Sequence, residues 1–365
     1  MTYSNGKYGL ETSIIRYYVD VRQHAPISAT MHLNPPKKSN ENLPLLYTLP
    51  EELQKSIGRY VRKPDRFMSL ASALLKYLFI HRAAQIPWSE VKISRTPKPH
   101  SRPYWKPPPK WFQPNYGGLE FNVSHQAGMV VLVGCRTPNK ARDARIDDQH
   151  ELSIHTPAVI DPDPTAVTSI ESASGEEEAE DVRIGVDIAC TWEPPRTPDL
   201  STGEKLEEWV EVFGEMFSTQ EQWDMVRAPI AELQDMTEWE WKARRFYTYW
   251  ALKEAYIKMV GEGLLAPWLK ELEFSNVPVP RRPKDSKEKW TRSDDRQIDD
   301  LDVLFKNKDI SKTMSTTLEG FEDTFLVATM TRGLKERSSD SPRWQAIDLF
   351  GDIELCATGK CKCLA

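Results

Sequence analysis

Apolar positions follow a helical rhythm in three stretches of the chain. Phe67, Leu70, Ala71, Leu74, Leu75, Leu78 and Phe79 recur at intervals of three and four, which predicts an amphipathic helix over Phe67–Ile86 packed on a core. Lys205–Phe217 and Thr237–Gly261 keep the same period, and the second is rich in Trp and Tyr. Elsewhere the pattern is that of strands. Leu119–Ser124 and Met129–Cys135 are β-like runs separated by a turn containing Gly128, Val182–Cys190 is apolar enough for a buried strand, and Phe325–Met330 is a late strand. The last run resembles Met129–Gly134, a faint sign of an internal repeat.

Between these elements the pattern breaks. Residues 97–114 contain seven prolines and read as an extended loop. Residues 139–182 are polar and acidic, end in Gly175-Glu-Glu-Glu-Ala-Glu-Asp181, and have too little apolar surface to offset the entropy of ordering. Residues 278–310 are again charged and punctuated by proline. The expected architecture is α+β: a basic N-terminal lobe over 1–138, an acidic disordered insertion over 139–182, a C-terminal lobe over 183–335 with a charged loop near 278–310, and a tail over 336–365.

Composition narrows the class. With 39% hydrophobic and 28% charged residues, the 365-residue chain reads as a soluble globular protein, and its apolar runs are too short to span a bilayer. No basic-then-apolar signal pattern opens the sequence, and five cysteines without a regular framework suggest reduced thiols, so a cytoplasmic monomer without membrane association is expected. The Cys361-Lys362-Cys363 cluster could bind metal or carry a lipid. A prenylation box is absent because Lys362 is fourth from the end, and the segment is read as a mobile tail.

The net charge of −6 conceals a gradient. Residues 1–138 carry 19 Lys+Arg against 8 Asp+Glu, residues 139–182 carry 3 against 12, and residues 183–365 carry 26 against 34. A basic N-terminal half suits a polyanion, whether nucleic acid or a phosphate-rich cofactor, or is simply a solvated surface. Its basic residues are not interleaved with a recognisable nucleic-acid-binding motif, so no nucleic-acid partner is expected.

Three segments carry candidate chemistry. Phe121-Asn-Val-Ser-His125 runs a strand into a turn with Asn122, Ser124 and His125 available to bind phosphate. Ile184-Gly-Val-Asp-Ile188 sets Asp187 in a buried strand, where a carboxylate is costly unless it is paired or binds a cation. Trp250-Ala-Leu-Lys-Glu-Ala-Tyr-Ile-Lys258 puts Trp250, Glu254 and Lys258 on one helix face. In isolation Glu254 and Lys258 are an ordinary surface ion pair. Beside Asp187, the two carboxylates can hold Mg²⁺, which takes oxygen ligands and keeps positions open for phosphate.

Phe121-Asn-Val-Ser-His-Gln126, Ile184-Gly-Val-Asp-Ile188 and Trp250–Lys258 followed by Gly261-Glu-Gly-Leu264 resemble the ordered motifs of 4′-phosphopantetheinyl transferases of the Sfp (surfactin synthetase-activating) type. The resemblance runs from about residue 45 to 138 and from 183 to 330, and the acidic insertion is similar to that of filamentous-fungal members. It implies two pseudo-twofold-related α/β lobes with coenzyme A in the cleft between them. It further implies Asp187 and Glu254 on Mg²⁺, and Lys258 and His125 on the CoA pyrophosphate, with Asn122 and Ser124 in the same CoA-contacting turn. Arg95, Lys98 and Arg102, in a basic motif resembling the family's, would meet the nucleotide phosphates. Many members have Glu two residues after the metal-binding Asp, where this chain has Ala189. Water or another group would therefore complete the shell.

The implied reaction is attack by a carrier-protein serine on the β-phosphorus of CoA, with release of 3′,5′-ADP and Glu254 as general base. The partners implied are acyl and peptidyl carrier domains of polyketide synthases and nonribosomal peptide synthetases, with aminoadipate reductase. Phe213–Trp223 is a candidate docking surface or, equally, core packing.

Overall fold

A computed structural model describes residues 14–24, 43–97, 101–108, 111, 116–138, 181–194, 198–230, 233, 236–263, 266–284, 288–293, 298–334 and 343–364. The acidic insertion expected over 139–182 therefore lies outside the described residues except for its last two positions, as does Lys98.

The first sheet is built from β1 (Ile15–Asp20), β4 (Gly118–Gln126), β5 (Met129–Thr137) and the short β13 (Gln345–Ala346), in the order β13-β1-β5-β4. A β2–β3 hairpin (Ile93–Arg95 with Pro103–Trp105) stands beside it. Ala127 and Gly128, both at positive φ, make the tight β4–β5 turn. One face of this sheet buries helix α2 (Lys63–Ala84), preceded by α1 (Glu51–Gly58). The apolar positions of the predicted 67–86 helix supply the α2 side of that core, including Leu70, Leu74, Leu75, Leu78 and Phe79.

The second sheet contains β6 (Arg183–Cys190), β8 (Trp290–Arg292), β11 (Ser315–Phe321) and β12 (Phe325–Arg332), in the order β6-β12-β11-β8. Its helix is α5 (Glu238–Val260), which begins at a reciprocal capping box between Thr237 and Glu240 and ends at Gly261 with φ 86°. Helices α3 (Gly203–Val212) and α4 (Thr219–Arg227) and a small sheet of β7 (Leu272–Ser275), β9 (Asp302–Phe305) and β10 (Lys308–Asp309) complete that core. Phe217 is fully buried there and Phe213 packs against it, whereas Trp223 is exposed.

Both sheets repeat one connection, strand, long helix, then hairpin. β1-α2-β4-β5 gives the neighbour order β1-β5-β4, and β6-α5-β11-β12 gives β6-β12-β11. The likeness of Phe325–Met330 to Met129–Gly134 is thus a likeness between equivalent strands. The sheet faces turned away from their helices meet in a third core, where Met129, Val131 and Val133 pack with Ile184, Val186, Ile188 and Val327. Buried Arg16 of β1 spans the seam, donating to Glu319 (2.6 Å) and Thr317 (3.1 Å) of β11.

Two expectations need correction. Residues 278–310 are not simply a loop, since they contribute β8 to the second sheet and all of β9 and β10. Their short strands, two to four residues long, leave too little periodicity to see against the surrounding charge. The C-terminal segment is no mobile tail. Its β13 pairs in parallel with β1, and Ile347, Leu349, Ile353 and Cys356 enter the α2 core.

Candidate functional site

The alternation along β4 builds the site. Leu119, Phe121 and Val123 turn toward α2, while Glu120, Asn122, Ser124 and Gln126 face β6 across the seam. These polar side chains satisfy backbone groups along β6. Glu120 Oε1 accepts from Ile184 N (3.3 Å), Asn122 Oδ1 from Val186 N (3.1 Å) and Gln126 Oε1 from Cys190 N (3.1 Å). At the fourth position Ser124 Oγ donates instead to the Asp187 carboxylate at 2.7 Å.

On its other side Asp187 meets α5. The strand and helix approach closely because residue 185 is glycine; a Cβ there would lie 2.6 Å from Met259 N and nearer still to Ala255 O. Lys258, in the last turn of α5, donates to Asp187 Oδ1 (2.6 Å) and to Ser124 Oγ (2.9 Å). Glu254, one turn earlier, has Oε2 3.9 Å from the same ammonium. Its Oε1 is buried without a hydrogen-bond partner among the described residues. Burial pushes the Glu254 carboxyl up to about 7, with Lys258 opposing and the negative charge of Asp187 adding.

Four of the nine predicted residues therefore converge: Ser124, Asp187, Glu254 and Lys258. His125 does not share their face. It is exposed and pairs across the strand with Val130, whose side belongs to the α2 core. Asn122 is adjacent but is engaged by β6. Arg102 is paired with Glu120 and donates to Ile184 O (3.3 Å), so its guanidinium is already held by the protein. Arg95 is exposed on the hairpin and donates to Ser101 O (2.9 Å).

Three features were not singled out from sequence. Glu120 and Gln126 extend the β4 clasp, a role visible in the strict alternation of that strand. Lys76 interrupts the apolar pattern of α2; burial, reinforced by the nearby Arg95 cation, lowers its pKa to about 8. Lys253, beside Glu254 in the sequence, is fully buried against Glu221 (2.9 Å) and donates to Leu269 O (3.0 Å) and to Leu272 O of β7, so it pins α5 to α4 and β7.

A hard divalent cation fits this donor set. Asp187 lies within the clasp, between the Asn122 and Gln126 contacts, with Glu254 facing it from α5, and one oxygen of Glu254 is buried with nothing among the described residues to satisfy it. Ala189, on the same side of β6 as Asp187, is fully buried among apolar residues and offers no ligand.

Comparison with known proteins decides the family. Residues 36–137 match the model of the 4′-phosphopantetheinyl transferase N-terminal region, and residues 183–302 match that of the 4′-phosphopantetheinyl transferase superfamily. The chain is 37% identical to 4′-phosphopantetheinyl transferase A of Aspergillus fumigatus, over 96% of both sequences. The chain belongs to the 4′-phosphopantetheinyl transferases. It is also 34% identical to 4′-phosphopantetheinyl transferase NpgA of Emericella nidulans over 96% of both. A more distant relative is the L-aminoadipate-semialdehyde dehydrogenase-phosphopantetheinyl transferase of Xenopus laevis, 26% identical over 63% of this chain and 54% of its own length. Members of this family are transferases, and the Ser124–Asp187–Lys258–Glu254 cluster lies at the junction of the two matched regions.

Proposed function

We propose that the protein transfers 4′-phosphopantetheine from coenzyme A to a serine of apo carrier-protein domains. The observation that carries the proposal is the convergence of Asp187, Glu254 and Lys258 from β6 and α5 on Ser124 of β4, with a Glu254 oxygen left without a partner among the described residues. Asp187 and Glu254 would hold Mg²⁺, which when bound supplies charge neutralisation at the phosphate oxygens. In this reading the two similarly connected sheets form pseudo-twofold-related α/β lobes, with CoA in the cleft between them.

The serine oxygen bonds to the β-phosphorus of CoA, the bond from that phosphorus to the bridging oxygen breaks, and 3′,5′-ADP leaves. Glu254, directly or through water, takes the serine proton. Lys258 turns from Asp187 toward the phosphates as they enter and stabilises the developing charge. Arg95 and Lys76, with Lys98 of the same basic motif, receive the nucleotide phosphates, and exposed His125 approaches the pyrophosphate from the outer side of β4. Arg102 supports the clasp through Glu120.

Carrier domains of polyketide synthases and nonribosomal peptide synthetases, and aminoadipate reductase, are the proposed partners. The name of the X. laevis relative, an L-aminoadipate-semialdehyde dehydrogenase-phosphopantetheinyl transferase, supports the aminoadipate partner, and those of the fungal relatives support phosphopantetheinyl transfer. A cytoplasmic monomer is the proposed working form; among the described residues no helix is long and apolar enough to cross a membrane.

The test is direct. Purified protein, CoA and Mg²⁺ are incubated with an apo carrier domain and followed by intact-mass spectrometry. One phosphopantetheine added to the carrier, absent when its acceptor serine is alanine, is the expected result. An unmodified carrier with several unrelated carrier domains would overturn the assignment.

A further inference from the structure

Away from this cluster, the last turns of the chain bring together three cysteines and a histidine. A π-helical turn (Leu349–Ile353) leads into the short helix Glu354–Ala357, which directs buried Cys356 toward α2. The chain then reverses through Gly359 at φ 71°, with Lys360 N and Cys361 N both donating to Leu355 O (2.8 and 2.9 Å). That reversal returns Cys361 and Cys363 to the side of Cys356. Across from them His81, buried in the last turn of α2, completes a set whose four ligand atoms all lie within 4.8 Å of one another.

The details match a tetrahedral soft-metal site. His81 Nδ1 lies 2.6 Å from Ile86 O, and a carbonyl can only accept, so Nδ1 carries the proton. The lone pair of Nε2 is thereby turned inward, 3.2 Å from Cys361 Sγ. A backbone carbonyl that fixes the tautomer is the usual outer support of a ligating histidine. Cys356 Sγ and Cys363 Sγ are 3.7 Å apart. Zinc–sulfur bonds of about 2.3 Å at tetrahedral angles separate two sulfurs by about 3.8 Å, whereas a disulfide requires about 2.0 Å. Arg82, next to His81, reaches Cys356 and Asp352, and sets a cation beside the Cys356 sulfur.

We propose that His81, Cys356, Cys361 and Cys363 bind one Zn²⁺ ion that fastens the C-terminal segment to the end of α2. Four protein ligands leave no open position, so the site is structural and separate from the carboxylate pair. Magnesium does not compete, because three of the four donors are sulfur. The spacing Cys-x₄-Cys-x-Cys is unrevealing by itself, since the fourth ligand lies far earlier in the sequence.

The full chain, purified with reductant and without chelator, is analysed for metal by plasma mass spectrometry. Zinc equimolar with protein in the wild type, lost in the Cys361→Ser/Cys363→Ser double variant, is the expected result. As a second measurement that does not depend on the variant folding, the wild-type chain is stripped and reloaded with Co²⁺. Intense sulfur-to-cobalt charge transfer and tetrahedral d–d bands, displaced by stoichiometric Zn²⁺, are expected. A lower melting temperature of the stripped protein, restored by Zn²⁺ and not by Mg²⁺, is expected as well. Three outcomes would each overturn the proposal: a zinc-free wild type with all thiols titratable, a Cys356–Cys363 disulfide in the protein as purified, or zinc retained unchanged in a folded double variant.

Discussion

Substituting Gly185 with alanine should separate the carboxylates of the site without touching either. The residue is not at positive φ, so the backbone itself tolerates alanine and the effect is steric. The new Cβ would lie 2.6 Å from Met259 N against an ordinary contact of at least 3.4 Å, and closer still to Ala255 O. Both neighbours are helix backbone, so β6 and α5 must part by at least about 0.8 Å, the difference between these distances. Overpacking of this kind costs about 1–3 kcal/mol. The functional loss should be larger in proportion. Asp187 follows Gly185 by two residues on β6, while Lys258 and Glu254 ride on α5, and misplacement by about 1 Å can cost about 10²-fold in rate. Urea unfolding and mass-spectrometric transfer to an apo carrier domain read the two effects separately. Gly58→Ala is the control; nothing lies within 4 Å of that Cβ in α1, so it should be neutral or slightly stabilising. If Gly185→Ala matched the wild type in both stability and turnover, the strand–helix approach would not be what positions the site.

Three further outcomes are expected. Because burial raises the Glu254 carboxyl from 4.5 to about 7, its contribution to the stability of the Mg²⁺-free protein is full below pH 4.5 and is lost as pH rises to about 7. Mg²⁺ needs the ionised form, so the rise in melting temperature on adding Mg²⁺ should be small at about pH 5.5 and large at about pH 8.5; Glu254→Gln should remove that pH dependence. Arg102→Ala should lower stability by about 1–3 kcal/mol, since it removes the cation beside the mostly buried Glu120 carboxylate and leaves it only the Ile184 N–H, whereas Arg95→Ala should weaken CoA binding, by calorimetry, with an unchanged melting temperature. Ala189→Glu puts a carboxylate in an apolar setting on the Asp187 side of β6, and should destabilise the protein without divalent cation and regain most of that stability in Mg²⁺, as followed by thermal melts.

The long helices and buried strands were legible because their periodicity is continuous. Thr237 and Gly261 even marked the ends of α5. Asp187, Glu254 and Lys258 were legible because each sits in a contiguous motif whose spacing fixes its face. The pairing of Arg102 is one that composition cannot reveal, because its counter-charge, Glu120, lies on another strand and belongs to the clasp. His125 was grouped with Ser124 by adjacency, yet adjacent residues on a strand face opposite ways. The short strands of 278–310 failed for want of length. The C-terminal segment failed because its apolar positions, Ile347, Leu349 and Ile353, make sense only against β1 and α2, elements formed by residues far earlier in the chain.

That last arrangement bears on how the protein is made. The first sheet acquires β13, and its core acquires Ile347, Leu349 and Ile353, only after the entire second sheet has left the ribosome. Trp344, which donates to Glu319 at 2.8 Å, arrives equally late. Until then β1 presents an uncovered edge and α2 an incompletely buried end, a state that invites pairing with other nascent chains. Synthesis from the N-terminus therefore cannot finish the half that it starts until the segment beyond the second sheet has followed it.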